Sequence, residues 1–344
     1  MRNIYDLNLE DLQEYFLSIN EKKFRGKQVF EWLYVNKVFS FEEMTNLSKK
    51  TIEQLNQDFY FDGLVVVEKQ VSTDGTIKFL SRLKDGNHIE TVLMRYNYGN
   101  SVCVSSQIGC NMGCKFCASG QLKKVRDLTP GEIVGQIMLV TKEILEEDSR
   151  VSHVVVMGIG EPFDNYENIM KFVRIINNPF GLAIGARHIT VSTCGLVEQI
   201  EQYANEDLQI NLAISLHSAI DEKRSSIMPV NHRYDLDRLK EAVKKYIAKT
   251  NRRVTYEYIL LKDVNDSKED ALALVDYIKG VNAYINLIPW NAVDQTDFKN
   301  VSRKDAEVFS QYLKEKNVNV TIRKEHGSDI DAACGQLRSK KEMV

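Results

Sequence analysis

From residue 100 onward, short apolar runs alternate with amphipathic helical patterns, and that rhythm leaves very few folds open. Strand-like runs fall at 101–105, 151–157, 188–192, 211–216, 254–261 and 283–289, with helical patterns between them at 131–145, 166–176, 236–247 and 271–278. Strands separated by helices pair in parallel, because a crossover of that length returns the chain to the neighbouring position in the same sheet. Six such strands predict an α/β protein built on an open, partial (β/α)6 barrel. A helix at 304–313 and a strand at 318–323 complete the pattern.

The first hundred residues read differently. Leu9, Leu12, Tyr15 and Phe16 recur at helical spacing, Val29, Phe30, Trp32 and Leu33 repeat it, and Asn46-Leu47-Ser48 caps a third helix carrying Ile52 and Leu55. Strand runs at 64–67, 76–80 and 90–94 are separated by the turn residues Asp74-Gly75 and Asp85-Gly86-Asn87. The predicted organisation is a helical accessory domain at 1–60, a small antiparallel strand unit at 61–98 and a core at 99–344.

Barrels of this kind carry their chemistry where strands end. After the first barrel strand stands Cys110-Asn111-Met112-Gly113-Cys114-Lys115-Phe116-Cys117. Four thiolates saturate a [4Fe–4S] cluster; three leave one iron open to a small molecule, such as the amino and carboxylate groups of S-adenosylmethionine (SAM). Zinc wants a fourth protein ligand, and no nearby Cys or His supplies one. Gly109 and Gly113 let the loop curl, and Phe116 shields it. Six cysteines spread unevenly over 344 residues point to metal or catalytic use in a reducing cytoplasm, not to a disulfide framework. The N-terminus lacks the features of a secretory signal and no 18-residue apolar run occurs, so no membrane span is expected. Net charge −3 neither announces nor excludes a nucleic-acid partner.

Polar groups recur at later strand ends. Met157-Gly158-Ile159-Gly160-Glu161-Pro162 offers close backbone approach and a carboxylate for an ammonium group. Ser192, Ser215-Leu216-His217, and Asn291 after Leu287-Ile288-Pro289-Trp290 add hydroxyl, imidazole and amide groups. Each alone reads as a cap or turn residue; their recurrence points to one site.

The cysteine spacing and the Gly160-Glu161-Pro162 element resemble the radical-SAM superfamily. With Cys103, Ser215–His217, 287–291 and the run Asp329-Ile330-Asp331-Ala332-Ala333-Cys334-Gly335-Gln336-Leu337, the chain resembles the dual-specificity ribosomal and transfer RNA adenine-C2 methyltransferases along nearly its whole length. That resemblance implies a [4Fe–4S] cluster on Cys110, Cys114 and Cys117, and SAM held by Gly160, Glu161, Ser192, Ser215, Leu216, His217 and Asn291. It implies methylation of C2 of adenosine 2503 in 23S rRNA and adenosine 37 in tRNAs, with two SAM molecules per turnover. Cys334 becomes an S-methylcysteine intermediate, Glu90 is the proton acceptor, and Cys103 resolves the adduct through a transient disulfide with Cys334. An electron donor, a thiol reductant and a monomeric state are implied as well. Read without the resemblance, Glu90 is a solvated strand carboxylate and Cys103 a small buried hydrophobe. Cys194 matches no family requirement and reads as packing. A sister group methylates C8 of the same rRNA adenine; Gly160-Glu161-Pro162 and 287–291 are similar to the C2 group. A non-catalytic RNA-binding module with a structural metal is the rival of a different class.

Candidate phosphate contacts are Lys22, Lys23, Arg25 and Lys27, then Lys123, Lys124 and Arg126, with Arg252, Arg253, Arg323 and Lys324 beyond. Phe24, Tyr96, Tyr98 and Trp290 are candidates to stack on an unpaired base.

Overall fold

The computed structural model describes residues 1–61, 64–147, 149–290, 296–327 and 329–330. Three helices open the chain: α1 (Leu9–Ser18), α2 (Phe24–Tyr34) and α3 (Lys49–Asp58). Asn8 and Asp11 form a capping box at α1, and Ser48 accepts from the Thr51 N–H at α3, as its position predicts. The buried face of α1, Leu9, Leu12, Tyr15 and Phe16, shares one core with Val29, Phe30 and Leu33 of α2.

An antiparallel meander follows: β1 (Val65–Val71), β2 (Ile77–Arg82), β3 (His88–Tyr96) and β4 (Gly99–Val104). Its first two turns fall at Asp74-Gly75 and Asp85-Gly86-Asn87, where each aspartate accepts from the backbone two residues on. β4 is also the first barrel strand. Beyond it come α4 (Pro130–Glu143), β5 (Val151–Val156), α5 (Tyr166–Asn177), β6 (Ile189–Thr193), α6 (Val197–Tyr203), β7 (Asn211–Ser215) and α7 (Asp221–Ile227). The chain continues with α8 (Leu236–Thr250), β8 (Val254–Leu260), α9 (Lys268–Tyr277), β9 (Ala283–Pro289), α10 (Arg303–Lys314) and β10 (Val320–Ile322).

One ten-stranded sheet holds all of these strands in the order β10-β9-β8-β7-β6-β5-β4-β3-β2-β1. Every pair from β4 to β10 is parallel. Sequential parallel order with helices between is the wrapping of a (β/α) barrel, and among the described residues β1 and β10 do not meet, so the barrel is open. The meander strands are thus continuous with the barrel through β4.

Strand alternation divides the barrel into two environments. Val154 and Val156 of β5, Val191 of β6 and Ile214 of β7 are fully buried, in one core with Ile133, Ile137, Phe172 and Val173 of α4 and α5. The alternate positions point inward. His153, Thr190, Asn211, Thr255, Asn286 and Thr321, with Val155 and Met157, line a cavity of about 420 Å³ in the lumen. A closed eight-stranded barrel fills that space with apolar layers; here polar and apolar groups share it.

The helical region docks on α4. Thr129 and Glu132 form the capping box of that helix with Pro130 at its first position, and Asp6 accepts from the Gly131 N–H at 2.7 Å. Among the described residues, no helix is long and apolar enough to cross a membrane.

Candidate active site

The cysteine loop is pinched at its base. Gln107–Ile108 pairs antiparallel with Arg126–Asp127, so residues 109–125 leave and return beside the end of β4. At the pinch Gly109 has φ +77°, and a Cβ there would lie 2.1 Å from the Lys123 carbonyl oxygen. The Cys110 N–H donates to the Leu122 carbonyl (2.9 Å) and the Lys115 N–H to that of Ile227 (3.0 Å), tying the loop to α7. Cys110, Cys114 and Cys117 line one cavity of about 310 Å³. Phe116 packs edge-on to His217, and the Trp290 Nε1–H donates to the Phe116 carbonyl at 3.0 Å.

Burial pushes the Cys110 thiol up to about 12 and raises that of Cys114 as well. A bound cation reverses that preference, since the thiolate is the ligand. Among the described residues, no three His, Cys, Asp or Glu side chains gather closely enough to hold a single ion. A four-iron cluster spreads its ligands more widely than one ion, and three thiols around one cavity fit it with one iron left over.

The same cavity is lined by Gly158, Gly160 and Glu161 after β5, Ser192 of β6, Ser215 of β7, and His217 just beyond. Gly160 has φ +109°, and a Cβ there would meet Gln107 Cβ at 2.6 Å. Only glycine lets the end of β5 lie against the base of the cysteine loop, where Gln107 Oε1 accepts from the Glu161 N–H (2.9 Å). Glu161 is buried; its carboxylate accepts from the N–H groups of Phe163 (3.0 Å) and Cys194 (2.8 Å). Burial still pushes its carboxyl upward. The side chains of Thr193 and Cys194 also hydrogen-bond to it, and the charge of an ammonium group docked there would oppose the burial.

His217 sits at φ +57° with its Nδ1 accepting from the Ile259 N–H (3.1 Å), which leaves the proton of the neutral ring on Nε2. Burial, aided by the nearby Arg224 charge, holds it down to about 3, so it is a neutral donor at ordinary pH. Leu216 does not face the cavity with its side chain. It is fully buried in the main core, and its N–H donates to the Glu257 carbonyl (3.0 Å). Cys194, expected as packing, lies in a small apolar cluster with Phe116, Met228 and Trp290, yet it also lines the cavity and its N–H holds Glu161.

Glu90 and Cys103 share a face. On β3, Glu90, Val92 and Met94 alternate with the core residues Ile89 and Leu93, and Cys103 of β4 stands opposite Val92. Val92 and Met94 line the cavity; Glu90 and Cys103, 3% and 6% exposed, lie on the same strand face but are not among the residues that line it. Glu90 is not the solvated carboxylate its composition suggests, since Lys78 of β2 pairs with it in the interior. Asn291 and Cys334 lie outside the described residues.

Three charged residues were not foreseen. Lys78 and Arg224 are both fully buried, and Glu257, also buried, lines the cavity with its carboxyl pushed up by burial. Arg224 donates to the carbonyls of Cys194, Ser215, Leu216 and Tyr234 and to Asn231 Oδ1, binding the ends of β6 and β7 together. Some RNA candidates are reassigned. Trp290 is buried and hydrogen-bonded, not presented to a base; Lys124 is paired with Asp127 and Asp164, and Arg126 with Asp85 and Glu132. Lys22, Lys23 and Phe24 are exposed.

Comparison with known proteins agrees with this geometry. The family model for the ribosomal RNA large subunit methyltransferase N-terminal domain matches residues 2–60, and that for the radical SAM superfamily matches residues 104–275. The protein described as "Probable dual-specificity RNA methyltransferase RlmN" from Acholeplasma laidlawii is 53% identical over 337 residues, covering 98% of this chain and 99% of its own. The protein of the same description from Enterococcus faecalis is 56% identical over 344 residues, covering 98% and 96%. A crystal structure of a radical SAM methyltransferase from Sphaerobacter thermophilus superposes with a TM-score of 0.95 at 41% identity, covering 98% of this chain and 100% of that one.

Proposed function

The chain belongs to the dual-specificity RNA methyltransferases of the radical-SAM superfamily, and from that premise we propose that it methylates C2 of adenosine 2503 in 23S rRNA and of adenosine 37 in tRNAs. One observation carries the reading: the thiols of Cys110, Cys114 and Cys117 line the same cavity as Glu161, Ser192, Ser215 and His217. When bound there, a [4Fe–4S] cluster and SAM supply a 5′-deoxyadenosyl radical. The three cysteines hold the cluster and Glu161 takes the methionyl ammonium. Gly160, Ser192, Ser215, His217 and Asn291 hold the remainder of SAM, and Leu216, whose N–H and carbonyl are engaged by Glu257 and Arg224, fixes the turn between Ser215 and His217.

Adenine C2 has no nucleophilic electron pair for a methyl cation, so the carbon travels on the protein's own sulfur. The Cys334 thiolate takes a methyl from one SAM and becomes a thioether. A second SAM is consumed in removing a hydrogen atom from that methyl; the carbon radical left behind adds to C2, and the odd electron of the adduct would return to the bound cluster that supplied it. Glu90 accepts the C2 proton. The Cys103 thiolate attacks the Cys334 sulfur, the bond from sulfur to the new methyl carbon breaks with its electron pair on carbon, that carbon takes up a proton, and methylated RNA leaves as the disulfide forms. Cellular thiols reopen it. The shared face of Glu90 and Cys103 beside the cavity supports this division of labour. We infer a cytoplasmic monomer, with residues 1–60 as an RNA-contacting accessory domain, 61–98 as a strand unit and 99–344 as the catalytic core.

The test is anaerobic reconstitution followed by iron and sulfide analysis and mass spectrometry of the modified nucleoside. A C8-methyl product sinks the C2 assignment. Stoichiometric zinc without SAM cleavage sinks the enzyme reading, and a Cys334→Ala variant that still methylates sinks the relay.

A further inference from the structure

Lys78 is a buried cation that the reaction outlined above leaves without a task. It is the second residue of β2, with 0% of its side chain exposed and its Nζ 2.9 Å from Oε2 of Glu90, whose own side chain is 4% exposed. The register sets Leu80 opposite Glu90 and Lys78 opposite Val92, so lysine and glutamate are diagonal neighbours on the face that carries Val92 and Met94 to the cavity. Lysine is almost never fully buried unless paired. Stability does not explain the pair, because apolar residues of similar volume commonly serve as well as or better than a buried ion pair. Its position beside a reaction site offers a better reason.

We propose that Lys78 is a positioning residue that keeps Glu90 an ionised, oriented proton acceptor beside the active-site cavity. The inference rests on the reading of Glu90 as the group that takes the C2 proton. A carboxyl buried in a strand protonates unless an opposing charge holds it ionised, and a protonated carboxyl cannot accept the proton. The ammonium group supplies that charge and fixes the plane of the carboxylate through Oε2. In the step itself the C2–H bond breaks, its electron pair stays with the base, and the proton passes to Glu90, while Lys78 keeps all of its protons. Neutral Glu90 beside the Lys78 ammonium then releases its proton, which resets the site. Among the described residues, Cys103 on β4 shares the face of Glu90, and Glu257, Arg323 and His326 face the cavity from the barrel side.

Two readouts on the full chain test this. The first is the 13C carboxyl resonance of Glu90 in glutamate-labelled protein, assigned by its absence in Glu90→Gln. The second is single-turnover methylation of an rRNA fragment by the reconstituted enzyme. In the parent protein the resonance lies at its ionised position at neutral pH, and in Lys78→Met it moves toward the protonated position. Methylation by Lys78→Met falls about tenfold or more at neutral pH and recovers as pH rises, because only the ionised carboxylate accepts a proton. Lys78→Arg keeps both the ionised resonance and most of the rate. A Lys78→Met loss that is absent or equal at every pH, with Glu90→Gln blocked, overturns the role of Lys78 and leaves Glu90 as acceptor. Glu90→Gln methylating at the parent rate overturns the reading of Glu90 instead. Should Lys78→Met fail to fold, the parent titration decides: a Glu90 resonance already protonated at neutral pH overturns the proposal.

Discussion

One backbone N–H group reaches each oxygen of the Glu161 carboxylate, so replacing its charge removes the contact with SAM together with one of these bonds. Glu161→Gln keeps the volume and loses the charge; charge-assisted hydrogen bonds contribute about 1.5–3 kcal/mol, so SAM affinity is expected to fall about 10- to 100-fold by calorimetry. Iron content should not change. His217 makes a different prediction, because burial depresses its pKa to about 3 from the ~6.5 of an unfolded histidine. As pH falls, the unfolded chain takes up the proton first, so this contribution to stability is complete above about pH 6.5 and is lost progressively toward 3. His217→Gln should therefore lose melting temperature less steeply than the parent between about pH 6.5 and pH 4; parallel slopes would refute the assignment. Both residues were legible in the sequence because each closes a strand with a polar group whose type suits a ligand. Lys78 and Arg224 were not. Lys78 interrupts an apolar strand and Arg224 stands in a polar run that looks exposed, and the partners of each arrive from another element, β3 in one case and the ends of β6 and β7 in the other.

At the scale of elements, long periods were readable and short ones were not. The helical pattern of α4 and the alternating strands β4–β9 follow from spacing, whereas α6 and α7, seven residues each, are too short to display a helical period. The polar part of the lumen was also hidden, because His153, Thr190 and Thr255 look like ordinary outward positions of half-exposed strands until closure turns them inward. α7 matters beyond its length, since it delivers Arg224 to acceptors on four backbone carbonyls and one amide, at 2.6–3.3 Å. Lysine has three donors in place of a planar fork and leaves some of those acceptors without partners, at about 1–3 kcal/mol for each. Arg224→Lys is expected to lose about 3 kcal/mol in urea unfolding and to bind SAM more weakly, because Ser215 and Cys194 lose their common brace. Unchanged SAM affinity in a folded variant would show that the clamp does not set the cavity.

Across the whole molecule, a net charge of −3 conceals an uneven distribution of cations. The run after the cysteine loop looked as basic as the one before α2, but its charges are committed within the fold. Lys124 lies 2.7 Å from Asp127 and 2.8 Å from Asp164, and Arg126 is held by Asp85 and Glu132. Lys22 and Lys23 are exposed at the start of α2, beside the exposed ring of Phe24, on a helical region anchored to α4 through Asp6 and Gly131. Sequence alone could not rank the two runs, because ion pairing of this kind joins residues up to 41 positions apart. Phosphate contacts displace counterions, so each one lost lowers the salt dependence of binding by about 0.7–0.9 in a plot of log affinity against log salt. Lys22→Ala with Lys23→Ala should therefore weaken tRNA binding and flatten that slope by about 1.5, whereas Lys124→Ala should leave the slope unchanged. Fluorescence anisotropy of labelled tRNA across a potassium chloride series measures both. Equal flattening by the two variants would mean that Lys124 exchanges its carboxylates for phosphate on binding, and that the helical region is not the principal electrostatic contact.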